Sequence, residues 1–166
     1  MKKTNLSEHN AAEVPSGEKY RIGVVVAEWN SEITNALAKG AVDTLKQYGV
    51  ADGNIRLVHV PGSFELTTGA DLMLRHDSSL DAVICIGCVI QGETRHFEFI
   101  CQAVSQGVTN VALKHGKPVI FSLLTTNDMQ QAIERSGGKH GNKGVEGAIT
   151  ALKMIALNNN LKTGRQ

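Results

Sequence analysis

The sequence predicts an α/β protein, a three-layer α/β/α sandwich around a four-stranded parallel sheet. Three observations predict it. Four short apolar segments rich in β-branched residues recur along the chain, and stretches with helical spacing separate them. The resulting order, β-α-β-α-β-α-β-α-α, requires crossover connections, which place helices on both faces of a parallel sheet. Three of the four segments are near-continuous hydrophobic runs, as strands covered on both faces should be.

Taken in order, residues 1–18 are polar, contain Pro15 and Gly17, and show no apolar period. They are expected to form a flexible arm outside the core. The first strand is Ile22-Gly23-Val24-Val25-Val26-Ala27, after which Ile33, Leu37, Ala41 and Leu45 share one helical face. Ile55-Arg56-Leu57-Val58-His59-Val60 is the second strand and Ala82-Val83-Ile84-Cys85-Ile86-Gly87 the third. Phe97, Ile100, Cys101, Val104 and Val108 then fall on one helical face, before a fourth strand over Pro118 to Leu124. A short helix should run from Asn127, with Asn127 and Gln130 as a capping-box pair, to Arg135 ahead of Gly137-Gly138. Val145, Ala148, Ile149, Leu152 and Ile155 mark the last helix. The organisation expected is one domain over 19–160 with a tail over 161–166.

Composition narrows the function classes. The 166 residues suffice for one ordinary domain, and 42% hydrophobic against 20% charged residues allows a real core. Lys and Arg total 17 against 16 for Asp and Glu, so the charge pattern for sequence-independent nucleic-acid binding is missing. No run approaches the ~20 apolar residues that span a bilayer, and no apolar stretch follows Lys2-Lys3 as in a signal peptide. Three cysteines, an odd number in apolar segments, suit reduced thiols, so a cytoplasmic location is expected. Cys85 and Cys88 match C-x-x-C, but residues three apart on a strand point to opposite faces and cannot share a metal. No phosphate-binding P-loop, dinucleotide fingerprint or zinc-protease motif occurs, so neither cofactor nor metal is expected.

In open parallel α/β sheets, ligands bind beyond the carboxyl ends of the strands. The unusual residues collect at that rim: Glu28-Trp29-Asn30 after strand one, Pro61-Gly62-Ser63-Phe64-Glu65 after strand two, Cys88 to His96 after strand three, and Thr125-Thr126-Asn127 after strand four. Trp29, in a chain only 4% aromatic, is either a core anchor or a stacking platform for a flat ring. Pro61-Gly62-Ser63 is either a tight turn or a place where backbone N–H groups meet a ligand, with Glu65 accepting hydrogen bonds. Gly92-Glu93-Thr94-Arg95-His96 brings a hydroxyl and free N–H groups to a helix start, an arrangement suited to phosphate. His96 beside it is either structural or a proton shuttle. Arg135, Lys139 and Lys143 either add positive charge to that site or serve as helix-end and solvated charges.

Three segments carry a resemblance: Val60 to Leu66, Gly87 to Phe97, and Gln131 to Gly137 continuing through Gly141 to Gly144. In order and spacing, over residues 20 to 158, they resemble the lumazine synthase family, whose fold is flavodoxin-like. The resemblance implies condensation of 5-amino-6-(D-ribitylamino)uracil with 3,4-dihydroxy-2-butanone 4-phosphate, in riboflavin biosynthesis, with release of phosphate and water. It implies that Trp29 stacks on the pyrimidine, and that Ser63, Phe64, Glu65, Cys88, Val89 and Ile90 hold the pyrimidine and ribityl chain. Glu93, Thr94 and Arg135 would bind the butanone phosphate, His96 would carry protons, and Lys139 would approach the ligand. Phe121 would reach the ring from a neighbouring subunit. The resemblance further implies a homopentamer. The short Gly137 to Gly144 link permits the sixty-subunit icosahedral shell of the family, and the resemblance extends the expectation to riboflavin synthase as an enclosed partner. Trp29 stands where many relatives carry Phe, Gln91 where many carry Arg, and Thr67 where Pro is common. The competing expectation is a non-catalytic flavin- or lumazine-binding shell protein on the same fold. Retention of His96, Thr94 and Arg135 together speaks against it.

Overall fold

A computed structural model of the protein describes residues 5–164. Its sheet has four parallel strands in the order β2-β1-β3-β4: β1 is Ile22–Ala27, β2 Ile55–Val60, β3 Ala82–Ile90 and β4 Val119–Thr126. Helices α1 (Ser31–Gln47), α2 (Leu66–His76), α3 (His96–His115) and α4 (Met129–Arg135) follow β1 to β4 in turn. A short antiparallel hairpin, β5 (Ser136–Gly138) and β6 (Gly141–Asn142), leads into α5 (Lys143–Thr163). The expected three-layer, flavodoxin-like sandwich is the observed one.

Alternation along the central strands sorts the core into two layers. Ile22, Val24 and Val26 of β1, with Ala82, Ile84, Ile86 and Cys88 of β3, pack with Ile33, Leu37, Ala41 and Leu45 of α1 and with Ala148, Leu152 and Ile155 of α5. Val25 and Ala27, with Val83 and Cys85, pack on the other face with Leu66, Ala70 and Met73 of α2 and Val104, Val108 and Val111 of α3. The period of two in the strands therefore meets the period of 3.6 in the helices at both faces. β2, at the sheet edge, stays half-exposed at Arg56, Leu57 and His59, which explains its broken hydrophobic run.

The structure departs from the sequence reading in several places. Both β3 and β4 run past their expected ends, because Cys88, Val89 and Ile90 continue the ladder opposite Leu124, Thr125 and Thr126. The cap of α4 is Asp128, one residue beyond Asn127, and its side chain accepts from the Gln131 N–H at 2.8 Å. Asp accepts from such an N–H as well as Asn does, so residue type does not single out Asn127. The segment read as an arm outside the core is exposed over residues 8–13 but touches the fold on either side. Val14 is buried within the α1/α5 layer, and the Gly17 N–H donates to the Tyr48 carbonyl at 2.7 Å. Its contacts are single residues at irregular spacing, which leave no period to detect. Finally, α5 continues to Thr163, into the stretch read as a tail. Residues 1–4 of the arm and 165–166 of the tail lie outside the described residues. Among the described residues no helix is long and apolar enough to cross a membrane.

Candidate active site

The strand order places the topological switch point between β1 and β3, where a crevice opens beyond the carboxyl ends. At the end of β1 the backbone turns at Asn30, whose φ of 58° and ψ of 44° put it in the left-handed region that Asn tolerates better than most residues. Its Nδ2 donates to the Cys88 carbonyl at 3.1 Å, tying the β1–α1 turn to β3. This turn projects the Trp29 indole outward, 66% exposed, so the core-anchor reading of Trp29 is excluded.

The β2–α2 turn lies beside it. The Glu28 N–H donates to the Val60 carbonyl and the Trp29 N–H to the Pro61 carbonyl, at 2.9 and 3.2 Å. The Gly62 N–H donates to Glu65 Oε2 at 3.0 Å, so this carboxylate folds back over its own turn. A Cβ on Gly62 would stand 2.7 Å from two indole carbons of Trp29, closer than carbon atoms approach. Ser63 is buried, with its hydroxyl aimed at the Cys88 carbonyl at 3.5 Å, while Phe64 is exposed.

After β3, residues 91–95 form a loop and α3 begins at His96. The Thr94 hydroxyl oxygen accepts from the His96 N–H at 3.4 Å. Arg95 is turned away, its guanidinium on Glu98 and over the Phe99 ring. His96, Trp29, Asn30, Ser63, Phe64, Cys88, Val89, Ile90 and Ile100 line one cleft of about 230 Å³. Six of the residues expected to hold the pyrimidine are thus brought together with His96. Glu65 stands in the adjoining turn, and Glu93 and Thr94 in the loop before His96. Asn30 and Ile100 are the additions. Asn30 was marked by its place after Trp29, but Ile100 was hidden by its helical period, which assigned it to the core.

Phe121 and Arg135 are elsewhere. Together with Gln131, Glu134, His140 and Lys143 they line a second cleft of about 620 Å³ along the edge strand β4. Register explains why Phe121 cannot meet Trp29 within one chain. Cys88 pairs with Leu124, so Phe121 lies three residues back along β4, about 10 Å at the usual rise of ~3.3 Å per residue. Arg135 ends α4 with its Nη1 donating to the His140 carbonyl at 3.0 Å and paired with Glu146 Oε1 at 3.2 Å. Lys143 also pairs with Glu146, at 2.9 Å, and Lys139 with Glu134, at 2.9 Å. Expected as one phosphate site, Arg135 and the Glu93–Thr94 loop are served by separate parts of a single chain.

Cys85 and Cys88 are poorly suited to act as nucleophiles. Cys85 and Cys88 lie in opposite core layers, as the strand period requires, and burial pushes them up to about 12 and about 11. At neutral pH both remain protonated and weakly reactive.

An apolar-floored cleft at the switch point, with the exposed rings of Trp29 and Phe64 and a histidine at a helix start, defines a flavodoxin-like α/β protein whose site suits a small flat molecule. The comparisons with known proteins carry this further. Residues 19–159 match the family described as 6,7-dimethyl-8-ribityllumazine synthase. A protein of that name from Cytophaga hutchinsonii is 57% identical over 152 residues, covering 92% of this chain and 94% of its own length. Namesakes from Porphyromonas gingivalis and Parabacteroides distasonis are 55% identical over 153 residues and 51% over 151, covering 92% and 91% of this chain and 94% of each relative. The chain belongs to the 6,7-dimethyl-8-ribityllumazine synthase family.

Proposed function

We propose that the protein condenses 5-amino-6-(D-ribitylamino)uracil with 3,4-dihydroxy-2-butanone 4-phosphate to give 6,7-dimethyl-8-ribityllumazine, phosphate and water. The observation that carries this is the Trp29–His96 cleft. It offers a π face for the pyrimidine, strand-end backbone at Cys88 to Ile90 for its polar edge, and an imidazole at the rim. The aryl amine attacks the ketone and water leaves as the imine forms. The carbon next to the imine then gives up its proton as phosphate is eliminated, and the resulting enol tautomerises to a ketone. The second amine closes the ring on that new carbonyl with loss of a second water. These steps move protons among nitrogen, oxygen and carbon, which is the work assigned to His96. The rest of the barrier lowering comes from holding two reactants in register, which in favourable systems supplies up to ~7–11 kcal/mol.

The split between the two clefts supports a site shared by neighbouring subunits. A cleft of about 230 Å³ is below the ~300–1,000 Å³ usual for small-molecule sites, so one chain offers part of a site. In this reading Phe121 and Arg135 of one subunit complete the Trp29–His96 cleft of the next. Phe121 closes over the pyrimidine, Arg135 joins Glu93 and Thr94 on the phosphate, and Lys139 stands nearby. A heterologous contact of this kind repeats around a ring, which suits a homopentamer. Large apolar side chains left outside the fold, among them Phe99 and Leu113 of α3 and Leu157 and Leu161 of α5, suit burial between subunits. Stacking of pentamers into a sixty-subunit shell, enclosing riboflavin synthase, extends the same reading, with the cytoplasm as its location.

The test is to mix the purified protein with both substrates and follow lumazine fluorescence together with phosphate release. Equal formation of both, well above the protein-free mixture, is expected. Folded protein that gives no gain over the spontaneous reaction overturns the proposal in favour of a binding or shell protein.

A further inference from the structure

The guanidinium of Arg135 is held by two acceptors, the His140 carbonyl and the Glu146 carboxylate. The chain's N-terminal segment touches both. The Leu6 N–H donates to the same His140 carbonyl at 3.1 Å. The single hydroxyl proton of Ser7 is shared between the Asn142 carbonyl at 3.1 Å and Glu146 Oε1 at 3.2 Å, the latter being the oxygen that pairs with Arg135 Nη1. Ser7 Oγ also accepts from the Asn142 N–H at 2.7 Å. Asn142 is in turn the N-cap of α5, its Oδ1 accepting from the Gly144 and Val145 N–H groups, and the first turn of α5 carries Lys143 and Glu146.

The fit is close enough to demand a particular residue opposite. Gly141 has a φ of +87°, and a Cβ there would stand 2.3 Å from both Asn5 Oδ1 and Ser7 Oγ. Gly141 thus provides both the turn of the β5–β6 hairpin and the room in which the segment sits. Asn5 fixes the local geometry, its Oδ1 accepting from the Ser7 N–H at 2.9 Å. Glu146 itself has three cationic or hydroxyl donors to satisfy, from Arg135, Lys143 and Ser7, and its orientation sets that of Arg135.

We propose that Ser7 is a positioning residue for phosphate recognition, fixing Glu146 and Asn142 so that Arg135 presents its remaining N–H groups to the phosphate-bearing substrate. The inference rests on the reading of Arg135 as a phosphate ligand. A charge-assisted pair whose carboxylate can rotate binds an incoming anion less well than one held in place, because ordering it costs free energy at the moment of binding.

The experiment compares Ser7→Ala, Ser7→Thr and Arg135→Ala in the full-length assembled protein. Two quantities are read: KM for each substrate, and Kd for inorganic phosphate by calorimetry. In Ser7→Ala, KM for the butanone phosphate and Kd for phosphate should both rise roughly 3- to 10-fold, the effect of one ordinary hydrogen bond. KM for the pyrimidine should stay in place, and Ser7→Thr, which keeps the hydroxyl, should restore both values. A merely structural role would move both substrates together. If Arg135→Ala weakens phosphate binding and Ser7→Ala does not, the inference falls and the reading of Arg135 stands. If Arg135→Ala leaves phosphate binding unchanged, that reading falls and the inference with it.

Discussion

The indole of Trp29 occupies the space that a side chain on Gly62 would need, with two ring carbons 2.7 Å from where its Cβ would be. The two turns that carry them are joined by the hydrogen bonds from Glu28 and Trp29 to Val60 and Pro61, so neither can retreat alone. Gly62→Ala should therefore rotate the ring out of its stacking position. Because Trp29 is the single tryptophan of the chain, its fluorescence reports the displacement directly. A changed emission maximum together with a raised KM for the pyrimidine is expected. Trp29→Ala should cost about 1–3 kcal/mol of pyrimidine binding, the range for base–aromatic stacking.

His96→Ala should lower kcat by roughly 10²–10⁴-fold and leave both KM values nearly in place, as loss of a proton carrier does. Residual turnover above the spontaneous rate is expected, since proximity survives the substitution. Stopped-flow measurement of lumazine formation at saturating substrates checks this.

A site shared between subunits makes a prediction that no single-chain site can meet. Trp29→Ala and Arg135→Ala subunits, each impaired alone, should regain activity when refolded together. In a random equal mixture about one quarter of the sites pair an intact Trp29 with an intact Arg135 across a heterologous contact. Activity per site measured after mixing, set beside the unmixed variants, tests it; activity no greater than their average counts against a shared site.

Asp71 links α2 to α3 through Lys114 at 2.7 Å and His115 at 2.8 Å, and pairs with Arg75 of its own helix at 2.9 Å. The hydrogen bond from Lys114 leads in lowering its carboxyl, followed by that from His115, from the ordinary 3.8 to about 2. A depressed carboxylate stabilises the fold above its unfolded value and loses that contribution as pH falls through the folded one. Asp71→Asn should thus be about 1 kcal/mol less stable than the parent at neutral pH, after solvent screening. The gap should close between pH 3.8 and about 2. Urea melts across that range measure it.

The layers of the fold were legible because Val24-Val25-Val26 and Ile84-Cys85-Ile86 are apolar at every position, and each alternate residue found its own helix pair. The ends of β3 and β4 were less so, since Cys88 to Ile90 look like loop in isolation and become strand only by pairing with Leu124 to Thr126. The β5–β6 hairpin escaped notice because its residues are glycines and polar groups, whose pairing depends on backbone angles rather than pattern. At the site, Trp29, Ser63, Phe64, Cys88 to Ile90 and His96 could be placed together, since each follows a strand at the same rim. The separation of Phe121 and Arg135 into another cleft could not, because strand register is a three-dimensional quantity. Ser7 was still further from view. Its partners Asn142 and Glu146 stand 135 and 139 residues away in the chain.

The two cysteines of β3 give the protein a pair of internal clocks. Cys85 sits in the layer under α2 and α3, and Cys88 in the layer under α1 and α5, separated by the thickness of the sheet alone. At 0 and 3% exposure Cys85 and Cys88 react slowly while the layers stay closed, whereas Cys101, only half-buried on α3, is reached first. The order in which Cys85 and Cys88 are alkylated would reveal which side of the sandwich comes away first, without a label having to be introduced.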